Sequence, residues 1–315
     1  MNHFYLDNLF LQTLLLAFEI LEDHHTGCNL ATIVFDVLDE YDLCDKLFCI
    51  TSDNASNNST MVEQLQNHLE QRDIDWDPEV HHIPCLAHII NLVVQAFLQK
   101  LQVDDNSFAV TLDKMHGIAR SIQGSTLRWE SFQRCCKSCT ITLATIPLDM
   151  PVHWNSTYHM VEQIVYLKCP ICRYLDDHDA KLGQYRLTEA EWEQAEILLV
   201  FLMPFKYCTK RFERNIDSPE IDYVFFAYNT MYNHIDDVKV ALLRGMGLGL
   251  LSSSTYMYTA IEEMETKLRI YYQKTKFPTV YGDAMILNPH VKLTLFEEET
   301  WDDMDASHYT NGCRQ

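Results

Sequence analysis

The chain has 315 residues, of which 47% are hydrophobic and 22% charged, so it is long enough for two or more domains and can bury a sizeable core. These totals exclude a disordered chain. The formal net charge is -21, and a surface this negative repels phosphate backbones. Any contact with nucleic acid must therefore come from a local patch or from other parts of a larger protein.

The beginning of the chain carries no signal-peptide pattern, because it lacks a basic region and a small-residue cleavage site. Its apolar run, FYLDNLFLQTLLLAFEIL, is interrupted by polar residues well short of a membrane span. The 11 cysteines are odd in number and scattered along the chain. We therefore expect an intracellular protein with reduced thiols and no membrane partner.

The first hundred residues alternate between strand and helix signals. Two apolar runs separated by the turn-favouring pair Asp7-Asn8 predict a β-hairpin. The elements predicted after it are a helix from Leu30 to Leu38, a strand at 46–51, a helix at 58–71, a strand at 80–84 and a long helix at 86–101. This order is typical of a mixed α/β unit.

From about residue 110 onward the pattern is helical almost throughout. The clearest amphipathic segments cover 187–205, 221–238 and 256–272. The glycine-rich stretch GMGLG at 245–249 is not followed by a helix-opening phosphate motif, so it predicts a flexible loop and not a nucleotide site. The predicted fold class is therefore α/β plus all-α.

Asp53 lies where a short apolar strand breaks into a run of small polar residues, FCITSDNASNNST. Functional groups of open α/β sheets gather at the carboxyl ends of strands, and a carboxylate there can hold a divalent metal. The alternative is that the Asp53 side chain caps the helix that follows. The residues alone favour capping, since one aspartate is not an active site.

The stretch HHIPCLAH carries four side chains suited to zinc, namely His81, His82, Cys85 and His88. If the helix begins just after Cys85, then Cys85 and His88 lie one turn apart and can face the same way. A structural zinc site normally uses four ligands. A buried cysteine and a hydrogen-bonded core histidine are the favoured alternative.

Two C-x-x-C pairs, Cys136 with Cys139 and Cys169 with Cys172, have the outline of a zinc ribbon. The segment between them is longer than in such ribbons, and it lacks their glycine-rich turns. A zinc shared by these four cysteines is therefore not favoured, although a zinc-binding domain remains a third hypothesis for the chain.

Trp154 lies in the segment MPVHWNSTYHM, which begins with a proline turn and continues into a predicted helix. An exposed tryptophan there could stack on an unpaired base. The alternative, which the residues alone favour, is that Trp154 anchors the core.

Five motifs occur in one order along the chain: HTG (25–27), KLFCITSDNASNN (46–58), IPCLAHIINLVVQ (83–95), HWNSTYHM (153–160) and MILNPHVKLTLFEEETW (285–301). This series resembles the hAT superfamily of DNA transposases, in the form linked to BED zinc fingers in fungi and plants. The resemblance covers nearly the whole chain.

The resemblance implies an RNase H-like catalytic core interrupted by a large helical insertion. Here it implies an incomplete core over residues 1–105, without its first strand, and an insertion over 106–315. With the family's sheet order of 3-2-1-4-5, the hairpin and the later strand pair would lack the strand between them. Either the hairpin closes that gap, or two unpaired edges remain.

The family's reaction is cut-and-paste transposition, which depends on Mg²⁺ or Mn²⁺ held by three acidic residues. Asp53 matches the second acid and so would be both a catalytic residue and a metal ligand. Cys85 and His88 match a C-x-x-H motif at the start of the insertion. Trp154 matches a tryptophan associated with flanking DNA, which makes its neighbours His153 and Asn155 candidate DNA contacts.

The chain also departs from the family. His153 replaces an arginine before the tryptophan, so a fixed positive charge becomes a group that is mostly neutral at pH 7. The first and third acids are expected outside this chain. The leading hypothesis is therefore a truncated or decayed hAT relative without autonomous activity, located in the nucleus, with DNA and full-length relatives as partners. The alternative is a domesticated nuclear protein that binds DNA or other proteins.

Overall fold

The computed structural model describes residues 2–7, 10–20, 25–142, 144–150, 152–214, 221–244, 254–275, 278 and 280–288. Within these residues the protein is mostly helical, with a small amount of sheet. The strands are β1 (Asn2–Asp7), β2 (Phe10–Leu15), β3 (Ile50–Ser52) and β4 (His82–Pro84). This confirms the fold class at the coarse level of a mainly helical protein that contains some sheet.

Thirteen α-helices lie in the described part of the chain. They are α1 (Gly27–Glu40), α2 (Ser56–Glu70), α3 (Pro78–His81), α4 (Leu86–Asp104), α5 (Asn106–Gln123), α6 (Thr126–Ser138), α7 (Trp154–Tyr166), α8 (Lys168–Asp177), α9 (Asp179–Leu182), α10 (Glu189–Arg214), α11 (Val224–Leu243), α12 (Ser254–Lys274) and α13 (Val280–Leu287). Three-residue 3-10 helices lie at Cys44–Lys46, Gly183–Tyr185 and Ile221–Tyr223.

The strands form two separate two-stranded sheets. β1 and β2 pair antiparallel, with Asn2 opposite Leu15 and Asp7 opposite Phe10, which confirms the predicted hairpin. β3 and β4 pair in parallel, with Ile50 opposite His82. Among the described strands the hairpin does not pair with β3 or β4, so it does not close the gap expected between them.

β3 is shorter than the strand predicted at 46–51. The chain before it turns at Asp42, which has a positive φ of 53°, and then forms the 3-10 helix Cys44–Lys46. The Lys46 ammonium donates to the Asp42 carbonyl at 2.7 Å and holds this turn. Apolar content alone therefore placed the start of the strand too early.

The chain divides into two compact units that are interleaved in sequence. Unit 1 contains Met1–Ile90, Cys208–Asn229 and Arg269–Gln315, and unit 2 contains Asn91–Tyr207 and Thr230–Leu268. The division into an incomplete catalytic core over 1–105 and a helical insertion over 106–315 is a separate matter, and it stays a prediction.

In unit 1, α1 packs closely against α2 around a core that includes Ala31, Leu38, Leu65 and Leu69. Thr26 caps α1 by accepting a hydrogen bond from the Asn29 amide at 3.3 Å. The next residue, Gly27, touches α2, since a Cβ there would lie 2.5 Å from the Thr60 Cβ and 2.6 Å from the Asn57 carbonyl. Only glycine permits this approach of the two helices.

In unit 2, the helices bury large side chains on facing surfaces. Fully or almost fully buried members of this core are Ile118, Phe132, Trp154, Tyr174, Phe201 and Phe205. Phe97 packs on Phe201 with 4.7 Å between ring centroids. Helix α4 is long and apolar enough to cross a membrane by length and composition, but half of that stretch is buried inside the protein, as in a core helix.

Some predictions lie outside the described residues. These are the glycine-rich loop at 245–249 and residues 289–301 of the last motif.

Candidate functional site

Asp53 directly follows β3 and is exposed. Its Oδ1 accepts hydrogen bonds from the Ala55 amide at 2.9 Å and from the Asn58 side-chain amide at 2.6 Å. The N-cap of α2 is Ala55, which makes no side-chain capping bond. Asp53 therefore organises the loop between strand and helix, and the capping alternative is correct only in this looser sense.

The side chains around Asp53 show whether the described residues could hold the implied Mg²⁺ or Mn²⁺. These hard cations take several oxygen ligands, usually from more than one carboxylate. In the described part of the chain, no three Asp, Glu, His or Cys side chains are grouped so that they could hold a metal ion. The donors around Asp53 therefore do not by themselves fit the metal, and its assignment as catalytic residue and metal ligand stays a prediction.

The first two histidines of HHIPCLAH, His81 and His82, make separate contacts at the start of β4. The His82 Nε2 lies 2.8 Å from the Ser52 hydroxyl and links β4 to β3 by their side chains. Burial lowers the pKa of His82, so this imidazole is neutral at pH 7. The His81 ring stacks on Trp76, with 5.8 Å between centroids. Both rings are thus used in packing and hydrogen bonding.

Cys85 connects β3 to the start of α4 through its backbone. Its amide donates to the Ser52 carbonyl at 2.9 Å, and its carbonyl accepts from the Ile89 amide at 3.0 Å. The Cys85 and Cys49 thiols lie close to Tyr281, whose pKa is raised by burial and, to a smaller extent, by these two thiols. His88 is half-buried in the first turn of α4. The role of Cys85 and His88 as a structural motif stays a prediction.

Trp154 begins α7 and is almost completely buried, with 2% of its surface exposed. Its ring packs edge-on against Tyr158 at 5.9 Å. The indole is therefore a core anchor in this conformation, as the alternative interpretation predicted, and it offers no face for a base. His153 immediately before it is exposed, and Asn155 is half-buried. The DNA contacts of these three residues stay a prediction.

The backbone that leads into Trp154 is held by two side chains of α4. The Asn91 Oδ1 accepts from the Trp154 amide at 3.0 Å, and its Nδ2 donates to the Val152 carbonyl at 3.2 Å. Gln95, one turn further along α4, donates to the same Val152 carbonyl at 2.6 Å. The sequence reasoning missed this clamp, although Asn91 and Gln95 stand out as amides four residues apart on an apolar helix.

Asp149 lies at the centre of a second network in the same segment. Its Oδ2 is 2.7 Å from the His116 Nε2, and its Oδ1 accepts from the hydroxyls of Ser156 at 2.7 Å and Thr157 at 2.9 Å. Burial pushes the pKa of Asp149 up, but the hydrogen bonds from His116, Ser156 and Thr157 outweigh it and hold the pKa below its ordinary value. Asp149 is therefore ionised at neutral pH and ties α5 to α7.

A groove of about 470 Å³ opens beside this network. Its polar lining consists of Gln95, Gln99, Gln102, His116, Arg120, Asp149 and Thr157, and Trp154 also lines it. The buried Nε1 of Trp154 has no hydrogen-bond partner among the described residues. The groove thus presents amides and one guanidinium close to the start of α7, where Trp154 is buried and His153 is exposed.

Comparison with known proteins places these features in a family. The family model of the ZBED1 RNase-like domain matches residues 1–77, and that of the ZBED1 RNase-like helical domain matches residues 83–201. A protein named as an AC transposase from Zea mays is 28% identical over 64% of this chain and 25% of its own length. The chain is a relative of hAT-type transposases.

Other curated relatives of this hAT-type chain come from fungi and plants. A protein named as the transcriptional regulator tpeD from Talaromyces stipitatus is 27% identical over 92% of this chain. The BED zinc-finger protein RICESLEEPER 2 from Oryza sativa subsp. japonica is 26% identical over 47% of it. The hAT relative spans 33%, 25% and 20% of the length of the first three curated relatives, so it corresponds to a minor part of each. Its sequence is that of a transposase-derived protein.

Proposed function

We propose that this hAT relative contains part of an RNase H-like core, with the helical insertion after it, and that it does not cleave DNA on its own. The single observation that carries this proposal is the setting of Asp53. It follows a strand of a parallel pair, where the family's second acid is expected, but its Oδ1 is engaged by the loop that follows. Within the described residues, no further acids gather around it to make a metal site.

When bound, Mg²⁺ or Mn²⁺ supplies charge neutralisation and nucleophile activation in phosphoryl transfer. Asp53 is the described residue that would contribute a carboxylate to such a site. Its own contribution here is to hold the loop, since the Ala55 amide and the Asn58 side chain donate to one carboxylate oxygen.

The proposal is tested by incubating the purified chain with labelled DNA carrying candidate terminal repeats and Mg²⁺ or Mn²⁺. The matched variants are Asp53→Asn, which keeps an oxygen for the two loop hydrogen bonds but removes the charge, and Asp53→Ala, which removes both. We expect background cleavage from all three proteins. Metal-dependent cleavage by the natural chain that Asp53→Asn abolishes would overturn the proposal and assign Asp53 a catalytic role.

We also propose that the start of α7 is the DNA-contacting segment, with His153, Trp154 and Asn155 as its members. The exposure of His153 at a helix N-terminus supports this, because the helix dipole favours anions there. The net charge of -21 opposes binding, so we expect weak affinity that falls steeply with salt.

Fluorescence anisotropy with a labelled DNA hairpin measures this contact at low and moderate salt. His153→Arg should strengthen binding several-fold, because it adds a fixed positive charge at one phosphate contact. His153→Ala should weaken binding less, because it removes only a hydrogen-bond donor. His159→Ala is the matched control, because His159 is also exposed on α7 but contacts Glu162 at 3.3 Å. Equal affinities for the natural chain and both His153 variants would contradict the assignment.

A second candidate function is regulation by binding, without DNA cleavage. The observation that favours it is the fungal relative named as a transcriptional regulator, which matches 92% of this chain. This function would require nuclear localisation. The expected protein partners are a second copy of this chain or a full-length relative. Microscopy of a fluorescent fusion and co-purification with a tagged full-length relative test it, and a cytoplasmic fusion that captures no relative would count against it.

A further inference from the structure

Helices α6 and α8 pack against each other and bring the two C-x-x-C pairs into one place. The Arg173 guanidinium on α8 donates to the Ser138 carbonyl at 3.1 Å and to its hydroxyl at 2.6 Å. Further along, the Cys135 thiol lies 3.8 Å from the Asp177 carboxylate. These contacts run in opposite directions along the two helices, so the end of α6 faces the first part of α8.

Cys139 and Cys169 meet at this junction. Cys139 is the C-cap of α6 and is half-buried, while Cys169 is the second residue of α8 and is exposed. Since Arg173 contacts Ser138, the preceding turn of α8, which carries Cys169, lies beside Cys139. Burial and, to a smaller extent, the neighbouring Cys169 thiol raise the pKa of Cys139. Both residues are at helix ends, where the backbone can adjust to the short sulfur–sulfur bond of a disulfide more easily than in a helix interior.

The other two cysteines of the C-x-x-C pairs are less exposed than Cys169. Cys136 is completely buried, and burial, with smaller contributions from Cys135 and Cys139, raises its pKa to about 11. It is therefore almost entirely in the unreactive thiol form at neutral pH. Cys172 is half-buried, and its pKa is also raised by burial. Among the described residues no three such donors form a metal site, so the chemistry available to Cys139 and Cys169 is that of a thiol pair.

We propose that Cys139 and Cys169 form a reversible regulatory disulfide, with a low-molecular-weight disulfide such as oxidised glutathione as the oxidant. The exposed Cys169 loses its proton, and the thiolate attacks one sulfur of the oxidant. A mixed disulfide forms and one small thiolate leaves. The Cys139 sulfur, after losing its proton, then attacks the Cys169 sulfur and releases the second small thiol. The pair is oxidised by two electrons, and the small disulfide is reduced to two thiols.

This disulfide closes the chain segment that carries the Asp149 network and the start of α7, since both lie between its two cysteines. The bond joins the end of α6 to the start of α8 and limits how far the segment can open. Oxidation is therefore expected to stiffen the region that includes His153 and Trp154. The disulfide itself does not depend on DNA binding, so it can be tested separately from the proposed function.

The experiment equilibrates the whole chain in glutathione buffers from fully reduced to fully oxidised and traps free thiols with an alkylating agent. Tryptic cleavage separates residues 138–168 from residues 169–173, so the cross-link appears as a joined peptide in mass spectrometry. We expect it in the natural chain and in Cys172→Ser, and we expect its loss in Cys139→Ser and Cys169→Ser. Hydrogen exchange across residues 144–167 should slow on oxidation of the natural chain and stay unchanged in Cys169→Ser.

Two results would overturn the proposal. One is that Cys139 and Cys169 stay alkylatable, or carry only glutathione, in fully oxidised buffer, while the exposed Cys28 becomes glutathionylated and shows that the oxidant is active. The other is that Cys169 pairs with Cys172, so that the cross-link to residues 138–168 is missing. The Cys28→Ser variant is the matched control, and it should keep the cross-link.

Discussion

Replacing Asp149 with alanine should loosen the segment that leads into α7. The carboxylate accepts three short hydrogen bonds, from His116, Ser156 and Thr157. A hydrogen bond to a charged group contributes about 1.5–3 kcal/mol, but such contributions do not add. The Ser156 hydroxyl also lies 2.7 Å from the His153 carbonyl, so it keeps an acceptor after the substitution. We therefore expect a net loss of about 2 kcal/mol at pH 7.

Hydrogen exchange at pH 7 measures this loss locally, without assuming that both units unfold together. A loss of about 2 kcal/mol corresponds to roughly 30-fold faster exchange of the amides of Met150, His153 and Trp154. Asp113→Ala is the matched control, because Asp113 is exposed on the same helix as His116. Less than a threefold change in Asp149→Ala, or an equal change in the control, would refute the reasoning.

The same substitution has a pH signature. The pKa of Asp149 in the folded protein is below its ordinary value of 3.8, so the ionised side chain stabilises the fold above about pH 4. This contribution is lost as the pH falls through the lower folded pKa. The urea midpoints of the natural chain and Asp149→Ala should therefore differ most near pH 7 and converge below pH 4. A constant difference from pH 7 to pH 3 would show that the lost stability does not come from the carboxylate charge.

Three further predictions concern packing and burial. Gly27→Ala should lower stability by about 3 kcal/mol, since its Cβ would overlap α2, whereas Cys28→Ala at the exposed neighbour should change the thermal midpoint little. Gly117→Ala would make a Cβ overlap the Tyr185 ring and should also destabilise the protein. The double variant with Tyr185→Ala should recover part of the loss, because the clash is removed. Cys208 is fully buried with its pKa raised to about 11 by burial, so at pH 8 iodoacetamide should label Cys28 readily and Cys208 only after urea unfolding. Rapid labelling of Cys208 in the folded chain would contradict that burial.

Local patterns were sufficient to predict most elements of the fold. Helical periodicity located α1, α4 and α10, and the turn-favouring pair at Asp7-Asn8 located the hairpin. The predicted start of β3 was wrong because Lys46 ends a 3-10 helix that follows the turn at Asp42, and the apolar residues 47–49 after it do not join the strand. Strand propensity does not predict such a turn, because the turn depends on the positive φ of one residue, Asp42.

The candidate sites were predictable in position but not in their contacts. The sequence located Asp53 at a strand end, whereas the bonds from Ala55 and Asn58 depend on the loop geometry. The partner of the Trp154 amide, Asn91, lies 63 residues earlier in the chain, so no local pattern connects them. Similarly, the meeting of Cys139 and Cys169 depends on how α6 packs on α8, and the spacing of the cysteines suggested only a disfavoured zinc site.

The triplet HTG, residues 25–27, is a family motif whose contacts in this chain serve folding. The His25 carbonyl accepts from the Asn57 side chain at 2.7 Å, Thr26 caps α1, and Gly27 lets α2 approach. All three residues thus act on folding and none of them is required to touch DNA. A selection for folded protein alone, such as resistance to proteolysis in a variant library, should therefore recover Thr26 and Gly27 even from a chain that performs no chemistry. It should not recover His25, which contributes only a backbone carbonyl.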